Sequence, residues 1–377
     1  MNELPSSAAV TSQRQLRVGL VGAGYWGPNL ARNIAELPNA DLVAVADVRA
    51  ERLEQVRLRH PGAQTTTEVE DLFDTDIDAV VIATPPQTHH MLGRAFLERG
   101  FHCLVEKPVA TSVAEATELV ELARANDVCL MVGHTFEYNP AVREVRRMID
   151  DGELGHVFYI DSIRANLGLF QLNTNAMWDL APHDISIANY LFGDAPESVS
   201  AHGGSFLMRQ VGVEDLMYLH LKYPGGRLAN IHVSWLHPNK TRRTTVVGDT
   251  KMIVYDDVST VEKIRVYDKG VEELPYADTY GEFQCSYRYG DITVPHLHWE
   301  EPLKIECRDF VESILGGRPP LVDGSSGLHV VEVLEAANRS LELGRMVAID
   351  EVREGTRPTR ARPRPRPGMP AGQQARG

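Results

Sequence analysis

The stretch VGLVGAGYWGPNLARN, residues 18–33, decides the fold of the first part of the chain. It opens with a run of small and branched apolar residues, which predicts a buried strand, and it continues into an amphipathic segment, which predicts a helix. Gly22, Gly24 and Gly27 lie at the junction with the spacing GxGxxG. In a strand–turn–helix unit such glycines permit a tight turn, the close approach of a pyrophosphate and helix-to-strand packing. The context therefore predicts a dinucleotide-binding unit.

The alternation of apolar runs and helical patterns continues through the first third of the chain. Predicted strands lie at 16–22, 40–47, 78–84, 101–108 and 128–134. Because these runs are almost continuously apolar and are separated by amphipathic stretches, they predict a doubly wound parallel sheet. We therefore expect an NAD(P)-binding Rossmann domain over residues 16–136.

The pattern changes after about residue 150, where several segments alternate apolar and polar residues. This alternation predicts an open, mainly antiparallel sheet, with the turn YPGG at 223–226 between two of its strands. Helices are expected at about 176–192, 302–315 and 327–343. The fold class is therefore α/β, with an N-terminal Rossmann sheet and a C-terminal α+β domain over 137–350 for substrate binding and oligomerisation.

Composition and charge exclude several classes of protein. The net charge is −14, and the stretch 353–377 holds seven arginines and one glutamate, so the remainder carries about −20. A nucleic-acid-binding body is therefore not expected. We predict a flexible lead over 1–15 and a disordered Arg/Pro-rich tail over 351–377. The chain has neither an apolar run long enough to span a membrane nor a secretory core at its start, which predicts a cytoplasmic protein.

Asp47 and Arg49 bear on the choice of cofactor. Asp47 ends the second predicted strand, 20 residues after Gly27, where a carboxylate would bind the ribose hydroxyls. A carboxylate repels a 2′-phosphate and so favours NAD, whereas Arg49 could accept that phosphate and leaves NADP open. Tyr25 and Trp26, within the glycine loop, are further candidate cofactor-binding residues.

Two other segments contain candidate catalytic residues. Lys107 follows the fifth strand, at the edge of the sheet where ligands bind, and Pro108 restricts it to an extended conformation. A surface Lys-Pro turn is the alternative. In NAMWDLAPHD, residues 175–184, Asp179 and His183 share a face if the segment is helical. From that stretch alone they are either a catalytic pair or two residues on a helix surface.

Taken together, these motifs resemble the Gfo/Idh/MocA oxidoreductases over roughly residues 16–350. The resemblance rests on the glycine motif, on ATPPQTHH at 83–90, on EKP at 106–108 and on the Asp-x-x-x-His pair, in that order. It implies that Lys107, Asp179 and His183 are catalytic and that the Lys107–Pro108 bond is cis. It also implies that a further group of residues contacts the cofactor, namely Thr84, Pro85, His89, Glu106 and Lys107.

The residue types suit the oxidation of a secondary alcohol. Such a reaction needs a hydride acceptor, a base for the hydroxyl proton and a positive group beside the developing alkoxide. His183 is the natural base near neutral pH, and Lys107 can stabilise the charge on the oxygen. Asp179 can hold the substrate or tune the charge of its neighbours. No spacing typical of a metal site is present, and none is expected.

A narrower resemblance concerns the substrate. Segments such as NLGLFQLNTNAMWDLAPHDISI and EPLKIECRDFVESI resemble the branch that contains WlbA-type UDP-sugar 3-dehydrogenases, which implies a sugar or nucleotide sugar whose ring hydroxyl becomes a ketone. Lys240, Arg242 and Arg243 supply the cations that a diphosphate or uronate needs; a solvated edge or a subunit interface is the alternative. Further candidate substrate-binding residues are Arg164, Asn166 and Asn175.

Several readings of the function remain open at this point. They are a dehydrogenase for inositol or a free sugar, a deoxysugar ketoreductase, an enzyme that recycles bound NAD⁺ for hydrolysis or elimination, and a non-catalytic dinucleotide sensor. A bare sheet face as large as that of the second domain is costly to expose. We therefore expect a homodimer or a homotetramer.

Overall fold

The computed structural model describes residues 15–168, 170–171, 174–207, 209–210, 212–273 and 285–356. The predicted lead lies outside the described residues except for Gln15, and the predicted tail lies outside them beyond residue 356. None of the described helices is long and apolar enough to cross a membrane.

The first part of the chain forms a six-stranded parallel sheet in the order β3-β2-β1-β4-β5-β6. Its strands are β1 (Leu16–Val21), β2 (Ala40–Ala46), β3 (Gln64–Thr66), β4 (Ala79–Ile82), β5 (His102–Glu106) and β6 (Leu130–Gly133). The helices that connect them are α1 (Gly27–Ala35), α2 (Ala50–Arg59), α3 (His89–Leu97) and α4 (Val113–Ala125). The predicted doubly wound sheet is confirmed, and the carboxyl ends of its strands form the edge on which the site is built.

The second sheet has nine strands in the order β14-β13-β12-β11-β7-β10-β9-β8-β15. They are β7 (Val157–Ala165), β8 (Ser198–Gly204), β9 (Leu216–Lys222), β10 (Leu228–Ser234), β11 (Thr241–Gly248), β12 (Met252–Asp256), β13 (Ile264–Glu273), β14 (Cys285–Thr293) and β15 (Val347–Ala348). Every pair is antiparallel except β7 with β10, which confirms the mainly antiparallel prediction.

The helices of the second part cover one face of this sheet. They are α5 (Pro140–Asp150), α6 (Ala176–Phe192), α7 (Pro302–Gly316), α8 (Gly324–Leu343) and α9 (Ile349–Thr356). Helix α8 also returns to the first sheet, where a Cβ on Gly327 would lie 2.5 Å from Val132 Cγ2. The glycine lets the helix axis approach β6 closely, so the C-terminal helices help to fix the carboxyl edge of the first sheet.

The chain end differs from the sequence prediction. Residues 351–356 belong to α9 and not to a disordered tail. Ile349 and Val352 are buried, and Arg353 forms an ion pair at 2.6 Å with Glu332 of α8. The proline-rich composition that predicts disorder begins only at Pro358, whereas the residues before it have an apolar face to bury. The short strands β3 and β15 were also missed, because too few residues contribute to their pattern.

Candidate active site

The glycine loop is shaped by two close backbone approaches. Gly22 has φ of +100°, and a Cβ there would lie 2.5 Å from the carbonyl oxygen of Ala83. A Cβ on Gly27 would lie 1.9 Å from the carbonyl oxygen of Gly22. Both positions therefore require glycine for the fold itself. At Gly24 the nearest atom to a Cβ would be Arg52 Nη1 at 3.4 Å, an ordinary contact. The space above Gly24 thus remains free for a ligand to approach the backbone.

Asp47 is held rigidly beside this loop. Its Oδ2 accepts hydrogen bonds from the Ala23 amide at 2.7 Å and from Arg52 Nη1 at 3.2 Å, and its Oδ1 accepts one from the Arg49 amide at 2.9 Å. The adjacent helix α1 begins at Gly27 without a side-chain cap, and the Gly27 amide remains for a ligand, since Pro28 has no N–H and the Asn29 amide donates to the Trp26 carbonyl at 2.9 Å. A fixed carboxylate beside a helix start and a glycine turn fits the ribose and pyrophosphate of NAD.

Gly27→Ala is expected to destabilise the protein and to weaken NAD binding at least about tenfold. The added methyl group would overlap the Gly22 carbonyl, and overpacking of this kind costs about 1–3 kcal/mol or more. Thermal melts and a fluorescence titration with NAD would measure the two effects. Gly62→Ala is the matched control, because a Cβ at Gly62 meets no atom within 4 Å. Equal melting and equal affinity in the two variants would contradict the prediction.

Lys107 lies where the first sheet meets α6. Its Nζ donates a hydrogen bond at 3.0 Å to the backbone carbonyl of Asp179, and the Lys107–Pro108 bond is cis, as expected. Burial lowers the pKa of Lys107, whereas the charges of Asp179 and Glu106 oppose this shift. The side chain also lines a cleft of about 870 Å³. A buried ammonium of lowered pKa at the wall of a cleft can exchange a proton or stabilise a negative oxygen.

Helix α6 begins and ends at residues that suit those positions. Asn175 caps its start, since its Oδ1 accepts from the Trp178 amide at 3.0 Å, and Gly193 ends it with φ of +68°. Pro182 lies inside the helix and removes the amide that would bond the carbonyl four residues earlier. The helix covers the predicted residues 176–192 and brings Asp179 and His183 onto one face, beside Lys107.

His183 is neutral in this environment. Its pKa is lowered well below the usual value, first by burial and then by the positive charges of Lys107, Arg164 and others. Its Nδ1 is buried and has no hydrogen-bond partner among the described residues. The ring packs edge-on against Phe136, with the centroids 4.9 Å apart. A neutral imidazole with an unpartnered nitrogen can accept a proton, and the positive charges near it hold it in that neutral form.

Two predicted substrate-binding residues have structural contacts instead. Arg164 is buried, donates from Nε to Asp184 at 2.6 Å and lies over the ring of Phe136. Its guanidinium therefore lies behind His183 and does not line the cleft. Asn175 lines the cleft, but its side chain caps α6 and donates to Glu214 at 2.9 Å. A buried arginine needs a carboxylate partner and a helix start needs a cap, and these needs determine both positions.

Two predicted cofactor-binding residues also differ from expectation. His89 is fully buried, and its ring nitrogens each lie 2.8 Å from a carbonyl oxygen, of Pro108 and of Thr84. It therefore joins the two loops and does not face the cofactor. Glu106 turns inward against Gly133, where a Cβ would lie 3.1 Å from the carboxyl carbon. Both side chains support Lys107 from behind, because the carboxyl edge of β5 is covered by protein at these positions.

The other predicted residues lie nearer to solvent. Tyr25 is 94% exposed and Trp26 is 36% exposed at the glycine loop, and Pro85 is exposed at the mouth of the cleft. Thr84 is half-buried and accepts a hydrogen bond from the Thr88 hydroxyl at 2.7 Å. Asn166 is half-buried at the end of β7.

The three basic residues at β11, Lys240, Arg242 and Arg243, do not lie on the same face of the sheet. Arg242 is directly opposite Arg164 in the sheet, and its charge lowers the pKa of His183. It also forms an ion pair at 3.4 Å with Asp257. Lys240 is exposed before the strand, and Arg243 points to the opposite face from Arg242. Of the three cations, Arg242 therefore has the closest relation to the site.

Trp235 contacts a candidate catalytic residue, although the sequence alone does not identify this tryptophan. It is buried, and its Nε1 donates to Asp179 Oδ2 at 3.0 Å. The bond fixes the carboxylate of Asp179 next to Lys107. No local pattern in the sequence signals it, because Trp235 follows β10 and meets α6 only through the fold. Among the described residues, no cluster of histidine, cysteine, aspartate and glutamate is suited to a metal ion.

Comparison with known proteins agrees with this fold and site. Residues 16–134 match an oxidoreductase family with an NAD-binding Rossmann fold, GFO_IDH_MocA, and residues 142–254 match the GFO/IDH/MocA C-terminal domain. Inositol 2-dehydrogenase 4 of Saccharopolyspora erythraea is 31% identical over 228 residues, which are 59% of this chain and 68% of that protein. A dinucleotide-binding oxidoreductase is the class that the fold and the comparisons define. The chain belongs to the Gfo/Idh/MocA oxidoreductase family, and its cofactor is NAD.

The matches to two further proteins cover most of this chain and most of each of those proteins. UDP-N-acetylglucosamine 3-dehydrogenase of Acidithiobacillus ferrooxidans is 25% identical over 319 residues, which are 84% of this chain and 94% of that protein. The crystal structure of GenD2 from gentamicin A biosynthesis, in complex with NAD, has a TM-score of 0.75 and 24% identity, and the match covers 92% of this chain and 99% of that one. These similarities extend across both sheets.

Proposed function

We propose that the protein transfers a hydride between NAD and the C3 position of a nucleotide sugar, a UDP-N-acetylhexosamine or its uronate. The observation that carries this proposal is the cleft at Lys107 and Asp179. Its wall is rich in side chains that hydrogen-bond hydroxyl groups: Gln87, Gln171, Thr174, Glu214 and Asn338. Amide, hydroxyl and carboxylate groups around a lysine suit a polyhydroxylated ring.

A nucleotide-linked sugar is supported by size, charge and similarity. The cleft, at about 870 Å³, lies near the upper end of ordinary small-molecule sites and offers room for more than a single ring. Arg242 provides positive charge on the second sheet near His183, and the exposed Lys240 precedes the same strand. The similar protein from Acidithiobacillus ferrooxidans is named for UDP-N-acetylglucosamine. Together they favour a substrate with a diphosphate or a carboxylate.

Three side chains divide the chemistry. Bound NAD supplies the hydride acceptor for the sugar C–H. His183 accepts the hydroxyl proton in the oxidative direction, because its ring is neutral and its Nδ1 has no hydrogen-bond partner among the described residues. Lys107 hydrogen-bonds the reacting oxygen and stabilises its developing charge. Asp179, whose carboxylate is fixed by Trp235, contacts Lys107 and orients a neighbouring hydroxyl group of the sugar.

A spectrophotometric panel tests this proposal. Purified protein with NAD⁺ would be offered UDP-N-acetylglucosamine, its uronate, a dTDP-hexose and myo-inositol, while NADH formation is followed by its absorbance. Activity with a UDP-sugar, oxidation at C3 shown by NMR of the product, and no activity with inositol are the expected results. Turnover of inositol alone would overturn the nucleotide-sugar assignment.

A cyclitol or free sugar is the second candidate, and one observation favours it. Lys107 is the only arginine or lysine among the cleft residues that the structure describes. A neutral polyol needs no cation, and the neutral amides of the wall would suffice for its hydroxyls. The inositol dehydrogenase among the similar proteins points the same way. Comparison of kcat/KM for myo-inositol and the UDP-sugars separates the two candidates.

We also propose that a second copy of the chain covers the outer face of the nine-stranded sheet. Helices α6 and α8 cover the inner face, while Tyr159, Tyr218, Leu228 and Ile292 are exposed on the outer one. Leu228 lies directly opposite Tyr159 in the sheet, so these two side chains form an apolar patch across β7 and β10, bordered by the polar Asp161, Asn230 and Lys222 of the same face. An exposed apolar patch with a polar border is typical of a subunit interface.

Leu228→Lys is expected to shift the protein from a dimer or tetramer to a monomer. A charge at the centre of an apolar interface is left unpaired when the copies associate. Sedimentation velocity would measure the mass against the 41.9 kDa of one chain. Val261→Lys is the control, because Val261 is 84% exposed in the turn after β12. A wild-type protein that sediments only as a single chain would refute the proposal.

A further inference from the structure

Two buried carboxyl groups lie behind Lys107 with oxygens that lack partners. Glu106 precedes Lys107 at the end of β5, and Glu306 is fully buried on α7. Neither oxygen of Glu306, nor Oε1 of Glu106, has a well-aligned hydrogen-bond donor among the described residues, although the Thr135 hydroxyl lies near Glu306 and the Trp26 side chain lies near Glu106. Buried carboxylate oxygens without donors are strongly unfavourable. A donor is therefore needed for these atoms, and the groups themselves can supply it.

The fold turns the two carboxyls toward the same interior. Glu106 is directly opposite Gly133 in the parallel register of β5 and β6. Because Gly133 has no side chain, the Glu106 carboxyl lies over β6, toward the turn Thr135–Tyr138 that follows that strand. Helix α7 packs on this turn and presents Glu306 to it. The other carboxyl oxygen of Glu106, Oε2, accepts a hydrogen bond from the backbone amide of Lys107 at 3.2 Å.

The surrounding charges oppose two carboxylates in this place. Burial, then the charge of Glu106, and finally that of Glu137 raise the pKa of Glu306 well above its usual value, while the Thr135 hydroxyl lowers it. Burial raises the pKa of Glu106 to about 7, against the opposing effect of Lys107.

The other positive charge near these carboxyls, that of Arg32, already belongs to an ion pair. The charge of Arg32 of α1 affects Cys307, the residue after Glu306 on α7. Arg32 itself is paired with Glu301 at 2.6 Å. Among the described residues, Lys107 therefore supplies the one positive charge near the two carboxyls and shares it with Asp179. The His134 ring adds none, because burial and the charge of Lys107 lower its pKa to about 3. Charge balance allows one negative charge on the pair and disfavours a second.

We propose that Glu306 and Glu106 share one proton, and that Glu306 is thereby a positioning residue that fixes the Glu106 carboxylate behind Lys107. The shared proton gives Glu306 an O–H that donates to Glu106, which satisfies the oxygens left without a donor. The pair then carries a single negative charge, which matches the single charge of Lys107. The catalytic consequence rests on the proposed function, whereas the shared proton does not.

The proposal predicts how the pair responds to alkaline pH. When the pair loses its proton, a second negative charge appears next to Lys107 and favours its protonated form. Glu306→Gln keeps an N–H donor for Glu106 but cannot lose that proton. Glu306→Leu removes the donor and leaves Glu106 without this partner. The two variants therefore separate the charge from the hydrogen bond.

Infrared difference spectroscopy tests the shared proton without any substrate. The full chain is measured near pH 7, where a protonated carboxyl has a C=O band that a carboxylate lacks. This band is expected to be lost in Glu306→Gln and retained in Glu312→Gln, which changes an exposed glutamate on the same helix. Identical spectra for wild type and Glu306→Gln would overturn the proposal, whatever the activity of the enzyme.

The pH profile of kcat tests the positioning role, with NAD affinity and melting temperature as checks on folding. Glu306→Leu is expected to lose about tenfold in kcat with KM unchanged, the value of one hydrogen bond to a charged group. Glu306→Gln is expected to keep wild-type kcat at neutral pH and to change only the alkaline limb, by about one pH unit. If Glu306→Leu does not fold, the alkaline limb of Glu306→Gln still tests the positioning role. An alkaline limb identical to that of wild type would overturn the positioning role.

Discussion

Lys107→Met is expected to lower kcat by about 10²–10³, the loss typical when one donor to a developing oxyanion is removed. Methionine fills a similar volume, but it cannot donate to the reacting oxygen or to the Asp179 carbonyl that Nζ contacts at 3.0 Å. The glycine loop and Asp47 are untouched. NAD affinity, measured by fluorescence titration, should therefore stay close to the wild-type value while steady-state turnover falls.

The lysine cannot be replaced by arginine if this account is correct. The compact Nζ of Lys107 lies 3.0 Å from the Asp179 carbonyl of α6, and the longer side chain and planar guanidinium of an arginine would not place a donor at the same point. Lys107→Arg should therefore remain nearly as inactive as Lys107→Met. Arg124→Ala, at an exposed position on α4, is the control for a lost positive charge. Retention of more than about a tenth of wild-type kcat in Lys107→Met would show that another group stabilises the oxygen.

The sequence predicted well those features that depend on local geometry. A Cβ on Gly27 would clash with the carbonyl of Gly22, five residues earlier, so this part of the glycine spacing is visible in one short stretch, whereas the clash at Gly22 is with the distant Ala83. Helix α6 has the predicted limits because Asn175 and Gly193 are a good cap and a good terminator. The resemblance named Lys107, Asp179 and His183 as a set, and the fold brings these three together.

Features that depend on contacts between distant elements were not predictable in this way. Arg164 and Asp184 look like separate polar residues in the sequence, and only the packing of β7 against α6 makes them a buried pair. Trp235 reaches Asp179 across the same boundary. Glu306 looks like an ordinary glutamate of an amphipathic helix until α7 is packed against the turn after β6. In each case the partner lies too far along the chain for periodicity or spacing to reveal it.

His183→Ala is expected to lower kcat by about 10²–10⁴, the range that a positioned general base contributes. The variant removes the imidazole that lies one helical turn after Asp179 and packs against Phe136. Added imidazole should restore part of the activity if the ring acts as a base, because it can occupy the space that the side chain leaves. His156→Ala, at an exposed position before β7, is the matched control. A His183→Ala enzyme of normal kcat would assign proton transfer to another group.

The pH dependence gives an independent test of the same role. A base must be unprotonated, so activity is lost as the pH falls through the pKa of His183. Burial and the charges of Lys107, Arg164 and Arg242 lower that pKa, which moves the acid limb of kcat/KM below the ordinary histidine value of about 6.5. Arg242→Gln removes one of those charges and should therefore move the limb toward higher pH. An acid limb that does not move, or moves to lower pH, would mean that His183 is not the titrating base, because removal of a positive charge near an imidazole can only favour its cation.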